Sequence, residues 1–461
     1  MPLDRLVRTG IAQIACTSYR TPQEIVFGCK EAMKPRLFIV ENANALDLEP
    51  LTWTRPVFSL VSGAGTILNR LKRLFRADLS GLWVRSYIEN ICLGEYPGLS
   101  VNSFEDFEDE RPWLMVDASW VPPEGFILPS LIPHQGVHNG KVVYLCLGPE
   151  EKAMFSEAQS LEAILAFWDE LQMPQVDVQG WQFQYLWDLI DKNSDLVCKD
   201  FDPVLPASGL IPSNVALVGN EKWFVRGSGV ELEPFTMLDT RNGPIVLETG
   251  VKVQSFSRIE GPCWLGANTI VYGARIKAGT SIGPCSRVGG EIENSIIQGY
   301  ANKYHDGFLG HSYLGEWVNL GAGTISSDLR NDYSTIRVMV QNELIDARKI
   351  KVGAFLGDHC RTGIGTLLNA GTKAGVFTQL LPGDGYLSRN IPSFTTASGS
   401  DIFPRMDLKN ILEVAGKVFA RRNRKLPSDL AKLYGTLYTL TSRERGKMTL
   451  NSGFSLNRLS A

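Results

Sequence analysis

An aliphatic residue at every sixth position governs most of the second half of the chain. Leu247, Val253, Ile259, Leu265 and Val271 follow this beat; it slips by one to Ile276, Ile282 and Val288, and it resumes at Leu356, Thr362, Leu368 and Ala374. A six-residue aliphatic period predicts a parallel β-helix, each hexapeptide forming one side of a coil. Small residues follow the beat, as in Gly266-Ala267, Gly283, Gly357 and Asn369-Ala370-Gly371, and tight corners between flat walls demand them. A β-sandwich with Gly-rich turns would alternate within its strands and keep no fixed six-residue period. Between the two runs stands NKYHDGFLGHSYLGEWVNLGAGT, residues 302–324, where Leu309-Gly310, Leu314-Gly315 and Leu320-Gly321 carry an aliphatic-Gly beat. Just before it sits His305, one of five histidines. Two roles stay open for His305 on this reading: proton handling for a ligand between neighbouring walls, and a structural histidine at a loop exit. Residues 334–351 break the beat and predict an excursion from the coil.

Upstream the pattern is different. Leu37-Phe-Ile-Val40 is a short apolar run of the kind buried in a parallel sheet. Further apolar segments recur at 82–84, 114–116 and 142–147, the last after Asn139-Gly140, which suits a type I′ hairpin turn. Amphipathic spacing predicts helices over 67–75 and 156–172 and a short one from Trp187-Asp-Leu-Ile190. Residues 36–210 therefore read as one α/β domain. Residues 203–212 are Pro-rich and linker-like, 211–245 read as linker and first strands, and 246–400 as the β-helix. Residues 401–461 read as C-terminal helices, over 407–420 and 427–442, and a tail. Residues 1–35 form an extension, and Met33, just before the first strand, is a possible start of the working protein.

Composition excludes several classes of function. The 46 Lys and Arg residues nearly balance 49 Asp and Glu, for a net charge of −3, so nothing in the charge points to nucleic acid or an anionic membrane. The acidic cluster FEDFEDE (104–110) and the basic run Arg421-Arg-Asn-Arg-Lys425 read as solvated surface. The 8 cysteines show no CxxC pair and no zinc-ligand spacing, as in a reducing compartment. No apolar run reaches the length of a membrane span, and the expectation is a cytoplasmic protein.

With these residues in view, the chain resembles the bifunctional N-acetylglucosamine-1-phosphate uridyltransferase/glucosamine-1-phosphate acetyltransferase family, and most closely its divergent, sugar nucleotidyltransferase-like branch. The resemblance spans roughly Leu37 to Pro392. It is strongest over 288–338, and PLTWTRPVFSL (50–60) and Trp187-Asp188 resemble the branch's first domain. It implies a Rossmann-like α/β nucleotidyltransferase domain, a left-handed parallel β-helix of hexapeptide repeats, a C-terminal helical tail and a homotrimer. By the family pattern His305 falls on the general base of acetyl transfer, Phe308 replaces a tyrosine common three residues later, and Asn319 falls on a residue that places the sugar. Lys277 falls on a basic residue for the sugar phosphate. Gly321, Ala322, Gly323 and Thr324, with the coils at 362–371 including Thr366 and Ala370, fall where the family binds acetyl-coenzyme A. Peptide N–H groups there would face the oxyanion. His311 and His359 read as surface residues. Asp328-Leu329 stands where the bacterial enzymes carry Asn-Tyr, which leaves the acceptor open.

Nucleotidyl transfer needs charge neutralisation at the phosphates, typically Mg²⁺ on one or two carboxylates together with Arg or Lys. Asp117 ends a buried strand where the crevice of an open α/β sheet lies, which makes it the candidate Mg²⁺ ligand. Arg55, in Thr-Arg-Pro, is the candidate phosphate contact. The family's Gly-rich loop is absent: ENANALD follows the first strand instead, and Ser62-Gly-Ala-Gly-Thr66 is the remaining candidate for exposed N–H groups. The expected function is a sugar-1-phosphate nucleotidyltransferase joined to an acetyl-coenzyme A-dependent amino-sugar-phosphate N-acyltransferase. The expected substrates are a nucleoside triphosphate, a sugar-1-phosphate and acetyl-coenzyme A, with products of the UDP-N-acetylglucosamine type for the cell envelope. Two alternatives remain: a monofunctional acyltransferase with a regulatory or nucleotide-binding first domain, and a non-enzymatic β-helix subunit.

Overall fold

The structure, a computed structural model, describes residues 34–75, 77–104, 109–202, 211–384, 386–405 and 407–451. The extension 1–33 and the Pro-rich stretch 203–210 lie outside the described residues.

The first half is built on the apolar runs seen in the sequence. Strands β1 (Arg36–Val40), β2 (Asp78–Trp83), β3 (Ser100–Val101) and β4 (Trp113–Asp117) are joined by β6 (His134–His138), β7 (Lys141–Leu147) and β8 (Gln175–Asp177) in one seven-stranded sheet ordered β3-β2-β1-β4-β7-β6-β8. A separate ribbon pairs β5 (Trp120–Val121) with β9 (Trp181–Gln182). β1 lies parallel to both β2 and β4, while β7 is antiparallel to β4. Strand order therefore reverses beside β1, and a crevice opens between the C-terminal ends of β1 and β4. Asn139 and Gly140 turn the β6–β7 hairpin at φ 50° and 79°, the left-handed pair that a type I′ turn requires. The five helices of this half are α1 (Ile67–Phe75), α2 (Glu89–Glu95), α3 (Pro149–Ser156), α4 (Leu161–Glu170) and α5 (Leu186–Asp200). The helix expected over 156–172 is shorter, α4 over 161–170, and α3 upstream of it is a separate helix that ends at Ser156. Ser160 accepts a hydrogen bond from the Ala163 N–H and starts α4 afresh. The short helix expected at 187–190 extends over 15 residues.

The second half is a left-handed parallel β-helix with three walls. The first wall climbs from Ala216–Val218 to Leu367–Leu368, and the second from Phe224–Arg226 to Asn390–Ile391. The third runs from Glu231–Leu232 through Asn302–Lys303 to Thr395–Ser398, with Asn319 bridging between Asn302 and Arg361. The ladder thus already includes 216–239, within the segment expected as linker and first strands. Successive beats of the hexapeptide run fall on successive walls: Leu247 on the second, Val253 on the third and Ile259 on the first. All three are fully buried, and an aliphatic side chain removed from water in this way contributes about 1.5–3 kcal/mol. The slip at Ile276 has a local cause. Strand Ile270–Ile276 passes from the third wall to the first without a break, turning at Gly273 with φ 54°. The excursion is a hairpin, Arg337–Val340 with Glu343–Asp346.

The corner between the second and third walls carries a column of aromatic rings. Tyr300, Trp317, His359, Phe377 and Phe394 all have φ above 40°. Centroid spacings are 4.4 Å from Tyr300 to Trp317, 4.4 Å from His359 to Phe377 and 5.2 Å from Phe377 to Phe394. Helices α6 (Leu408–Ala420), α7 (Ser428–Leu440) and α8 (Ser442–Asn451) follow the coil among the described residues. Phe419 of α6 stacks on Trp317 at 4.1 Å, and Tyr434 of α7 donates or accepts a hydrogen bond with His359 Nε2 at 3.0 Å. His359, expected at the surface, is therefore interior, and burial, then Arg361 and Arg55, push its pKa down to about 3.

The α/β half packs directly on the second wall, and Val246, Trp264, Tyr313 and Phe355 share one apolar cluster with Leu51, Phe58 and Trp187. The polar centre of this junction is Arg55. Its guanidinium donates to both oxygens of Asp358 at 3.0 and 2.6 Å, and Thr54 Oγ1 donates to the same carboxylate at 2.8 Å.

Candidate functional site

The crevice at the ends of β1 and β4 is a cavity of about 480 Å³ lined by Asn42, Asn44, Asp117, Gln135, Lys141, Gln172, Gln175 and Gln182, among others. Neutral amides outnumber charges. Asp117 sits at its base, where the sequence places it, and four donors hold its carboxylate. Ser119 N and Ser119 Oγ donate to Oδ1 at 2.7 and 2.8 Å, and Asn42 Nδ2 and Gln182 Nε2 donate to Oδ2 at 2.7 and 3.0 Å. A carboxylate offers about four lone-pair sites, so this set leaves none for a metal. Among the described residues no cluster of three or more His, Cys, Asp or Glu side chains is placed to hold one either. The residues present do not fit the expected Mg²⁺ ligand. Burial raises the pKa of Asp117 against these four hydrogen bonds.

Two other expectations for this domain are corrected. Arg55 does not face the crevice: it is paired with Asp358 and lines a separate cavity of about 440 Å³ between the halves, with Glu95, Glu248 and Glu316. Desolvation raises Glu316 to about 7 despite the opposing Arg55 charge. The Ser62–Thr66 loop does not expose its N–H groups to phosphate. Gly63 N donates to Asn193 Oδ1 at 2.7 Å and Ala64 N to Asp200 Oδ2 at 2.9 Å, both on α5. What replaces the Gly-rich loop after β1 is a 3₁₀ turn, Ala43–Ala45, capped by Asn42. Glu41 anchors its base through Arg85 and Val57 N. Sequence reasoning missed Glu41; a carboxylate closing an apolar strand was its only signal.

The second candidate site is the corner between the third and first walls. Residues 304–307 join Asn302–Lys303 to Phe308–Gly310, and residues 321–324 turn the same corner one coil further on. The loops are tied by Gly323 N donating to Asp306 O at 2.9 Å. Gly307, with φ 139°, allows this approach, since a Cβ there would stand 2.2 Å from Thr324 O. His305 projects from the lower loop and is exposed, its ring against Tyr304 at 4.8 Å. Beneath it Lys303 is buried, and its ammonium donates to Gly289 O at 3.0 Å and His305 O at 2.7 Å. Desolvation lowers the Lys303 pKa to about 8.

Across this gap the peptide N–H groups differ in what they have left to give. Gly321 N donates to Thr362 Oγ1 at 2.8 Å, Thr324 N to Gly321 O at 3.1 Å, and Gly323 N is spent on Asp306. Ala322 N donates to no acceptor among the described residues, while Ala322 O accepts from Gly365 N at 2.8 Å. Ala322 is thus the one residue of the expected quartet that presents a free donor. Thr366 and Ala370 do not line the gap. Thr366 is fully buried and its hydroxyl donates to Gly363 O at 2.9 Å, and Ala370 lies in the junction cluster. Phe308 lies half-buried on the first wall, beside the loop. Lys277 is on the same wall, its charge spent on Glu291 and Glu293 at 3.0 and 3.2 Å. Asn319 is one wall over, 3.0 Å from Asn302. His311, expected at the surface, is only partly exposed and pairs with Asp328 at 2.7 Å.

The chain thus joins an α/β domain, with its crevice at the strand-order reversal, to a hexapeptide β-helix that carries an exposed histidine at one corner. Residues 37–205 match the family model described as sugar nucleotidyl transferase. The chain is 37% identical over 93 residues to a bifunctional sugar-1-phosphate nucleotidylyltransferase/acetyltransferase of Sulfurisphaera tokodaii, covering 20% of this chain and 23% of the relative. It is 27% identical over 158 residues to the bifunctional protein GlmU of Bordetella parapertussis, covering 33% of each. The matched part spans no more than about a third of these relatives' length. Among solved structures, the UDP-N-acetylglucosamine acyltransferase of Arabidopsis aligns over 54% of this chain and 98% of its own, at 12% identity and a TM-score of 0.22. A fit that loose carries no argument. Among the described residues no helix is long and apolar enough to cross a membrane.

Proposed function

We propose that this chain joins a sugar-1-phosphate nucleotidyltransferase domain to an acetyl-coenzyme A-dependent N-acyltransferase acting on an amino-sugar phosphate, in synthesis of a UDP-N-acetylglucosamine-type nucleotide sugar. The observation that carries the reading is that exposed His305 and the Ala322 N–H, which has no acceptor among the described residues, lie on neighbouring loops tied by the Gly323–Asp306 hydrogen bond. In acyl transfer the neutral imidazole of His305 takes a proton from the acceptor ammonium. The freed amine attacks the thioester carbonyl of acetyl-coenzyme A, and the tetrahedral oxyanion accepts a hydrogen bond from Ala322 N–H. Collapse breaks the C–S bond; the departing thiolate takes the proton from the imidazolium, and the acylated nitrogen releases its second proton to solvent. Exposed Ile325 and Leu367 on the first wall, with Ile364 beside them, offer apolar surface for the pantetheine arm and for a second copy of the chain. They support the homotrimer, which light scattering tests. Six described cysteines are free thiols, in keeping with the cytoplasm.

Thiol release from acetyl-coenzyme A with glucosamine-1-phosphate is the deciding assay; no release above background overturns the acyl half. A second reading of the α/β domain, as a sugar-nucleotide binding module, is favoured by the saturated Asp117 carboxylate and the engaged Ser62–Thr66 loop. Pyrophosphate release with UTP and a sugar-1-phosphate decides between them.

A further inference from the structure

The basic run after α6 is exposed as expected except at Arg422, which is half-buried. Arg421 and Arg422 close one side of a cavity of about 150 Å³ whose other side is the third wall, and Asn302, Asn319 and Arg361 stand along that wall. Arg287, Asn302, Asn319 and Arg361 are consecutive rungs of one ladder, so neighbours stand about 4.8 Å apart. The amides are oriented in sequence. Arg422 Nη2 donates to Asn302 Oδ1 at 3.1 Å, and Asn302 Nδ2 donates to Asn319 Oδ1 at 3.0 Å. Asn319 Nδ2 is thereby turned away from Asn302, and among the described residues it meets no acceptor. Arg422 Nε is buried and likewise has none. Among the described residues no carboxylate pairs with Arg361, Arg421 or Arg422.

The unpartnered side-chain groups Asn319 Nδ2 and Arg422 Nε are donors, and the charged side chains lining the cavity are all arginines. Desolvation, then Arg287 and Arg421, lower the pKa of Arg422, and desolvation lowers that of Arg361. Cationic groups gathered out of water without a counter-charge are costly, and the arrangement is relieved by an anion that accepts several hydrogen bonds at once. A phosphoryl group matches guanidinium forks in charge and in geometry. The cavity volume equals that of about five waters, enough for one phosphoryl group and too little for a nucleoside. Lys277, the cation expected to hold the sugar phosphate, is already neutralised by two glutamates.

We propose that the cavity between the third wall and the end of α6 is a phosphoryl-binding site, held by Arg361, Arg422 and Asn319. Asn302, which lines the cavity, precedes His305 by three residues on the same coil, and this suits the phosphate of the acyl acceptor. That assignment rests on the acyltransfer reading; the site itself does not.

Titration calorimetry on the full chain tests it with inorganic phosphate, glucosamine-1-phosphate, unphosphorylated glucosamine and adenosine 3′,5′-bisphosphate. Inorganic phosphate is expected to bind, about tenfold or more weaker in Arg361→Gln and in Arg422→Gln. Arg361→Lys is expected to retain most of the affinity, which separates lost charge from lost folding, and unfolding midpoints check each variant. Glucosamine-1-phosphate binding tighter than phosphate, with the gain lost in Arg361→Gln, assigns the acceptor as the source. The same pattern with the bisphosphate assigns the coenzyme. Phosphate affinity unchanged in both Gln variants, or no phosphate binding at all, overturns the proposal. So does a change of oligomeric mass in those variants at constant phosphate affinity, which would mean that a second copy's carboxylate fills the cavity. Phosphate binding that survives in a chain without acetyl transfer leaves the site standing and removes only the acyltransfer reading.

Discussion

The two candidate clefts differ in how much hydrogen-bonding capacity they leave unspent. In the α/β crevice Asp117 has the expected position at a strand end, yet four protein donors consume its carboxylate. At the β-helix corner His305 is exposed and Ala322 N–H has no acceptor among the described residues. A residue type at the right place is therefore not yet a site. What reaches a ligand is the donor or acceptor that folding has not already used.

The largest expected effect concerns the joint that holds the contrasted halves together. Asp358→Ala leaves the buried Arg55 guanidinium with only the longer Glu316 ion pair at 3.5 Å and should cost about 3–5 kcal/mol of stability by denaturant titration. A midpoint that does not move would break the picture of one joined body. Next, His305→Ala should lower acetyl transfer about 100-fold or more, roughly 3 kcal/mol of barrier; full activity would place the corner on the same footing as the crevice. Asp117→Asn should lose about 1–3 kcal/mol of stability, because an amide cannot accept from all four donors, while acetyl transfer stays unchanged. Unaltered melting with pyrophosphate release abolished would instead show a carboxylate reserved for ligand.

The smallest effect is a pH dependence at the junction. Burial raises Glu316 from 4.5 to about 7, against the charge of Arg55 and with that of Asp358. The folded state thus keeps a proton that the unfolded chain releases. The resulting stability is full below pH 4.5 and is lost as pH rises through 7. Glu316→Gln should flatten the unfolding midpoint between pH 5 and 7, by on the order of 1 kcal/mol given partial solvent access. An unchanged pH profile would remove Glu316 from the junction's electrostatics.

Much of the β-helix was legible because its interior needs one aliphatic residue per wall, a local and periodic demand met by Leu247, Val253 and Ile259. Other features leave weaker traces. The aromatic column follows the second-wall aliphatic by three positions in coil after coil, as Ile297 precedes Tyr300, Leu314 precedes Trp317 and Leu356 precedes His359. This spacing marks His359 as a member of the interior column, against the surface position expected for it. The pairing of Arg55 with Asp358 has no local trace at all, since the partners are separated by |i−j| of 303. The same holds for the closure of Gly63 N–H by Asn193. His305 was legible as a candidate, but the choice among Gly321, Ala322, Gly323 and Thr324 depended on which N–H another coil had taken.

The junction on the second wall also bears on how this molecule comes apart. A bare solenoid can fray from either end, because each coil is held only by its neighbours. Here a single apolar cluster ties rungs from Val246 to Phe394 to the α/β sheet and to α7, so the coils beyond the first cannot peel away without prying that body loose. Melting should accordingly be all-or-none, with calorimetric and van't Hoff enthalpies in agreement.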